Sequence, residues 1–114
     1  MKQIYVCNDT VTGIFSAIYD AWKVILSFGD AGIAVKGMMN QELFCEYTEC
    51  MESEKKVIAV ENMIKKNLGM NVYRDIYYAI LSDDAKKADA VFEMMREARK
   101  IPDRRKIMDH LSNV

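Results

Sequence analysis

The run from Cys7 to Trp22, CNDTVTGIFSAIYDAW, constrains this chain most, because a strand-like segment turns there directly into a helix. The residues leading in, Lys2 to Cys7 (KQIYVC), are few and rich in β-branched and aromatic types, as a strand requires. Beyond the turn, Val11, Ile14, Phe15, Ile18, Trp22, Ile25 and Leu26 recur at spacings of three and four. Thr12, Ser16, Asp20 and Lys23 fall on the other side. That period predicts an amphipathic helix of about four turns, with Gly13 tolerated near its start.

Helix N-termini present unpaired N–H groups and can hold an anion. Phosphate-binding turns add glycines and a basic residue, and Asn8-Asp9-Thr10 supplies a carboxylate and no base. Asp9 would repel phosphate, so the turn reads as a helix cap made by Asp9 or Thr10.

Residues 28–42 hold three glycines and read as a loop with a brief strand at Ile33–Lys36. Leu43 to Cys50 reads as a further strand of poor alternation, since Glu46 and Glu49 point to opposite faces. From Ser53 the pattern is helical. Val57, Val60, Ile64 and Leu68 form one stripe, closed by Gly69 as a left-handed cap. Tyr73, Ile76, Tyr77, Ile80 and Leu81 form the inward side of a second helix. Ser82-Asp83-Asp84 offers N-caps for a third, whose apolar face is Ala88, Val91, Phe92, Met95 and Ala98. Pro102 ends it, and Pro102-Asp103 opens a last helix bearing Ile107, Met108 and Leu111. The order predicts one α+β domain over residues 1–114: a two- to three-stranded sheet, a helix after the first strand, and three to four helices at the C-terminal end.

A net charge of −1 gives no global attraction to nucleic acid. Locally the chain is polarised. Residues 1–60 carry five Lys/Arg against eight Asp/Glu, and Arg96 to Val114 carry six against three. No apolar run has the length of a membrane span, so no membrane is expected as a partner. Three cysteines without a secretory signal point to a reduced, cytoplasmic protein.

The candidate chemistries thin out on inspection. Gly29-Asp30-Ala31-Gly32 has the shape of an RNA-clamping G-x-x-G loop but is acidic at its variable positions, and reads as a glycine turn. Cys7, Cys45, Cys50 and His110 lack the paired spacing of a zinc site, and the cysteines read as small hydrophobes. His110 suits a helix C-terminus. Glu46 with Glu49, and Asp83 with Asp84, read as solvated charge. The methionines read as core filling, and of Tyr77-Tyr78 the second is the freer. No catalytic residue, metal or cofactor is expected. The remaining handle is basic: Arg96, Arg99 and Lys100 at helical spacing, followed by Arg104, Arg105 and Lys106, a candidate nucleic-acid-binding set.

Two segments resemble a known family. CNDTVTGIFSAIYDAW is similar to an N-terminal signature in which a strand ends in a small polar turn and a glycine precedes an aromatic helix. LFCEYTECMESEKKVIAVENMIKKNL with YYAILS resembles the next block: a strand, a polar turn, a charged helix and a Tyr-Tyr-Ala helix. The family is the bacterial "probable DNA metabolism protein" group, a domain of unknown function. Its members commonly occur with a radical-SAM DNA modification or repair protein, and some are fused to a uracil-DNA-glycosylase-like domain.

The resemblance covers most of the chain and rests on structural motifs. This sequence departs from it in having Asn8-Asp9 where members usually show Asp-Gly. Typical members also continue past the position of Val114, so the chain is expected to be the N-terminal part of such a protein, or a short member. The resemblance implies a non-catalytic accessory or adaptor in DNA metabolism, partnered by a radical-SAM or glycosylase-like protein, with weak non-specific DNA contact. Two alternatives remain open: part of a DNA-base-processing enzyme whose catalytic residues lie outside this chain, or a protein-interaction module without nucleic-acid contact. The stripe Ile107, Leu111, Val114 is a candidate surface for homo-oligomerisation.

Overall fold

The structure, a computed structural model, describes residues 1–38 and 44–100, with side chains as far as Glu97. Its elements are β1 (Lys2–Cys7), α1 (Val11–Leu26), β2 (Ala31–Val35), β3 (Cys45–Glu49), α2 (Glu54–Asn67), α3 (Met70–Ile80) and α4 (Lys87–Lys100). This is the α+β fold read from the sequence: a small sheet, a helix directly after the first strand, and a C-terminal run of helices. The helix expected after Pro102, with the stripe Ile107, Leu111 and Val114, lies outside the described residues.

The sheet is parallel with strand order β2-β1-β3; Gln3 stands opposite Ala31, and Lys2 opposite Cys45. Parallel neighbours need a crossover, and α1 supplies it between β1 and β2. The helix packs on the sheet face that carries Tyr5, Cys7, Ile33 and Val35, burying Ile14, Phe15, Ile18 and Ala21. Each large apolar side chain buried there stabilises the fold by roughly 1.5–3 kcal/mol. Helix α2 lies against α1 through Val57, Val60 and Ile64, and α3 follows through Ile76 and Ile80. Helix α4 packs against β2 and α3 with Ala88, Val91, Phe92 and Met95; Phe92 meets Trp22 edge to face, ring centroids 6.0 Å apart.

Three details depart from the sequence reading. Strand β2 begins at Ala31 rather than Ile33, so Gly32 lies in a strand and not in a turn. It is contacted by both α1 and α4, and a strand packed by two helices need not alternate in polarity. Leu26 and Leu81, placed inward by periodicity, are exposed, because each sits at the end of its helix where the supporting layer stops. The methionines are divided. Met95 is buried and Met38 and Met63 pack on the core, while Met51, Met70 and Met94 face solvent.

Gly69 does double duty. At φ 96° its N–H closes α2 on the Ile64 carbonyl (3.0 Å), and the same residue is the N-cap of α3. Two phenylalanines share this left-handed region without being glycine: Phe28 (φ 64°) before β2 and Phe44 (φ 62°) before β3. Both are exposed, and both lie at the edge where the parallel strands begin. Among the described residues no helix is long and apolar enough to cross a membrane.

Candidate functional site

In a parallel sheet all strands end at one edge, and loops that leave it are where such folds place ligands. Here the turn after β1 meets the turn after β3. The Asn8 amide donates to Glu52 Oε1 at 3.0 Å, and the Thr10 hydroxyl lies 3.5 Å from the same oxygen. Thr10 also accepts from the Gly13 N–H at 2.9 Å, which makes it the N-cap of α1. So the Asn-Asp-Thr turn is a cap, as its chemistry required, and Thr10 rather than Asp9 does the capping.

Asp9 instead reaches the first residue of α4: its carboxylate lies 2.6 Å from Lys87 Nζ. That ammonium also donates to the Ser82 carbonyl at 2.6 Å, and the Lys87 side chain is only 4% exposed. Buried Ser16 ties the start of α2 to α1, accepting from the Ser53 N–H at 3.1 Å. Lys36 and Glu49 form an ion pair from β2's end to β3's. Each of these polar groups holds one chain segment to another.

Sequence reading identified neither Glu52 nor Lys87 here, since both come from distant segments. One signal was legible: a glycine inside a helix. A Cβ on Gly13 would sit 2.6 Å from the Asn8 carbonyl oxygen and 3.0 Å from Glu52 Oε1. Gly13 is therefore required by the close approach of the two turns, not merely tolerated.

The cysteines are dispersed. Only Cys7 is buried, whereas Cys45 and Cys50 are half-buried. Burial first, and then the neighbouring Asp9 and Glu52 charges, push the Cys7 thiol up from 9.0 to about 12. Cys50 also rises to about 12, through burial and then the hydrogen bond its thiol donates to Asp20 Oδ2 at 3.3 Å. Thiolate is the nucleophilic form, so both sulfurs are held in their inert state at neutral pH. Tyr73 is raised to about 12 by burial and by donating to Glu61 Oε2 at 2.9 Å.

These shifts have a defined sign. Each folded value lies above the unfolded one, so stability is full below about pH 9. It then declines as pH rises toward 12, with the cysteines acting first and Tyr73 joining above its ordinary value of 10.0. Urea midpoints should be level from about pH 7 to 8.5 and fall steadily above that. Cys7→Ala should flatten the fall; an unchanged slope would show that Cys7 ionises freely in the fold.

A cleft of about 460 Å³ lies between the sheet, chiefly β2, and the first turns of α4. Ile4, Gly32, Ile33, Ala34, Val35 and Tyr47 come from the sheet side, and Lys86, Asp89, Phe92 and Glu93 from the helix side. Nothing in the sequence pattern announced this cleft, because only the fold brings β2 and α4 together.

Of the basic set, Arg96 is described: it is half-buried and pairs loosely with Glu93 at 3.8 Å. Helix α4 continues to Lys100, which puts Arg96 and Lys100 one turn apart. The side chains of Arg99 and Lys100, and residues Arg104, Arg105, Lys106 and His110, lie outside the described residues. Glu46 and Glu49 stand on opposite sheet faces as expected, Glu46 near Gln3 and Glu49 with Lys36. Tyr78 is exposed while Tyr77 is half-buried. Among the described residues no group of three His, Cys, Asp or Glu side chains is placed to hold a metal ion.

No family model, curated protein or solved structure matches the chain.

Proposed function

We propose that this chain is a cytoplasmic accessory domain in DNA metabolism, a binding module that works beside a radical-SAM or glycosylase-like protein. The observation that supports a binding role is the amino edge of the sheet. Phe28 and Phe44 are held there by left-handed backbone with their side chains exposed, and Met1 and Leu26 are exposed as well. A bulky side chain in that backbone region costs about 1–2 kcal/mol and persists where function uses it. Exposed aromatic anchors of this kind are the residues that dominate protein–protein contacts. The carboxyl edge agrees, since its polar groups serve to join loops. Cys7, Cys45 and Cys50 form no disulfide, which suits a reducing compartment. The DNA assignment draws on the family resemblance and on the basic positions from Arg96 to Lys106.

Fluorescence anisotropy of labelled single- and double-stranded DNA tests the nucleic-acid half of this reading. With about three phosphate contacts, raising salt from about 50 to 200 mM should weaken binding roughly ten- to fortyfold. Replacing Arg104, Arg105 and Lys106 together by Ala should abolish it. Absence of binding at low salt would remove DNA contact from this chain and assign it to a partner.

A further inference from the structure

We propose that the cleft between β2 and α4 is a peptide-binding groove, in which an extended acidic segment of a partner protein adds a fourth strand beside β2. Strand β2 is an edge of the sheet, with β1 on one side only. The ladder to β1 fixes which of its backbone groups are used. Ala31 stands opposite Gln3, the Gln3 N–H donates to the Asp30 carbonyl at 3.0 Å, and the Lys36 N–H donates to the Cys7 carbonyl at 2.9 Å. Ladder bonds fall on alternate residues of a strand, so Gly32 and Ala34 turn their N–H and C=O groups to β1. Those of Ala31, Ile33 and Val35 turn away. Among the described residues the one partner on that outer row is the Met38 N–H, 3.1 Å from the Val35 carbonyl. Both groups of Ala31, both of Ile33 and the Val35 N–H are left unpaired.

These three residues are only 1–2% exposed, so solvent scarcely reaches the row either. Helix α4 covers the edge without pairing with it. Native proteins pair nearly all their buried backbone groups, so a row of unpaired ones marks an element still to be added. The cleft supplies the room: Ile33 and Val35 line it although their side chains belong to the core, and about 460 Å³ lies within the range of ligand sites. The row also selects the ligand. Its donors and acceptors recur every second residue, about 6.6 Å apart, and an extended peptide carries the matching alternation. Strand addition at a sheet edge is a general mode of peptide recognition. Charge selects the side chains. Lys2 and Lys86 line the cleft, and among the described residues neither ammonium is in an ion pair, whereas Glu93 pairs with Arg96 and Asp89 is already engaged. Carboxylates at alternate positions of the peptide would face the lysines, and the side chains between them Ala88 and Phe92. Because the row is nearly closed, entry takes an outward shift of α4. This inference goes beyond the proposed role and needs neither the phenylalanine edge nor residues 104–106.

Amide NMR titration of the whole chain with two end-blocked peptides, Val-Glu-Val-Glu-Val and Glu-Val-Glu-Val-Glu, tests it. At least one should give saturable shifts at Ala31, Ile33 and Val35 and along residues 86–92, with a Kd below about 1 mM. On binding, the amides of Ala31, Ile33 and Val35 should gain protection from hydrogen exchange. Those of Gly32 and Ala34, already bonded to β1, should not change. N-methylation of alternate peptide residues removes the donors from one edge of the peptide at a time. One of the two methylated forms should bind at least about tenfold more weakly than the parent, and the other should match it. Lys86→Gln, at an exposed position, should keep the thermal midpoint and weaken the acidic peptide about two- to fivefold. Absence of saturation by about 10 mM with both acidic peptides would overturn the inference. So would parent affinity in both methylated forms, or equal affinity for Val-Lys-Val-Lys-Val.

Discussion

Gly13→Ala is expected to lower the thermal midpoint by about 10 °C, a loss of roughly 2–3 kcal/mol. Helix propensity alone gives the opposite sign, since alanine is favoured over glycine in a helix by about 1 kcal/mol. Packing decides. The new methyl would lie 2.6 Å from the Asn8 carbonyl oxygen, 2.9 Å from Thr10 Oγ1 and 3.0 Å from Glu52 Oε1. The first is backbone and cannot swing away. Relieving the clash moves the turn after β1, which weakens the Thr10 cap and the Asn8–Glu52 hydrogen bond together. Circular dichroism melts of the two proteins are sufficient. An unchanged or higher midpoint for the variant would mean that the turns do not approach as closely as the structure has them.

The second large effect concerns Lys87. Asp9→Ala should cost about 3 kcal/mol, because it strands a buried ammonium with one carbonyl partner. Lys87→Met should cost no more than about 1 kcal/mol: the thioether chain fills similar space, and Asp9, 42% exposed, can be hydrated once its partner is gone. The order follows from where the burial lies, on the cation and not on the carboxylate. It leads to a stricter expectation for the double variant. Asp9→Ala with Lys87→Met should be more stable than Asp9→Ala alone, since the second change removes the unpaired charge. Urea unfolding of the three variants checks this, and a double variant no better than the single one would contradict the burial of Lys87.

What the sequence made legible was local. The periodicity of Val11 to Leu26 and the β-branched run at Lys2–Cys7 placed β1 and α1 at their observed bounds, and the stripes beginning at Val57 and Ala88 contain the buried residues Val57, Val60, Ile64, Ala88, Val91, Phe92 and Met95. The Asn8-Asp9-Thr10 turn was readable as a cap made by Asp9 or Thr10, because capping is decided within a few residues. The carboxyl edge was not readable, since Glu52 and Lys87 are brought to Asn8, Thr10 and Asp9 only by the sheet and by α4. The cleft was illegible for a different reason. A strand written AGIAV gives no hydrophobic contrast between its faces, so Gly32 looked like part of a loop. The resemblance contributed an expectation about DNA metabolism that bears on partners rather than on any described side chain.

The strand order has a kinetic consequence. β1, which precedes both its partners in the chain, is the middle strand, so neither of its ladders is local. Gln3 meets Glu46 across a sequence separation of 43 residues. Closing such a loop costs entropy before any contact compensates it, and parallel pairings of this kind slow folding relative to a helical bundle of equal length. During synthesis the KQIYVC segment emerges before both its partners and must wait, both hydrogen-bonding edges bare, until β2 and then β3 leave the ribosome. A strand in that position is most exposed to wrong pairing before its neighbours exist. The amphipathic helix that follows immediately offers it an interim cover for one face.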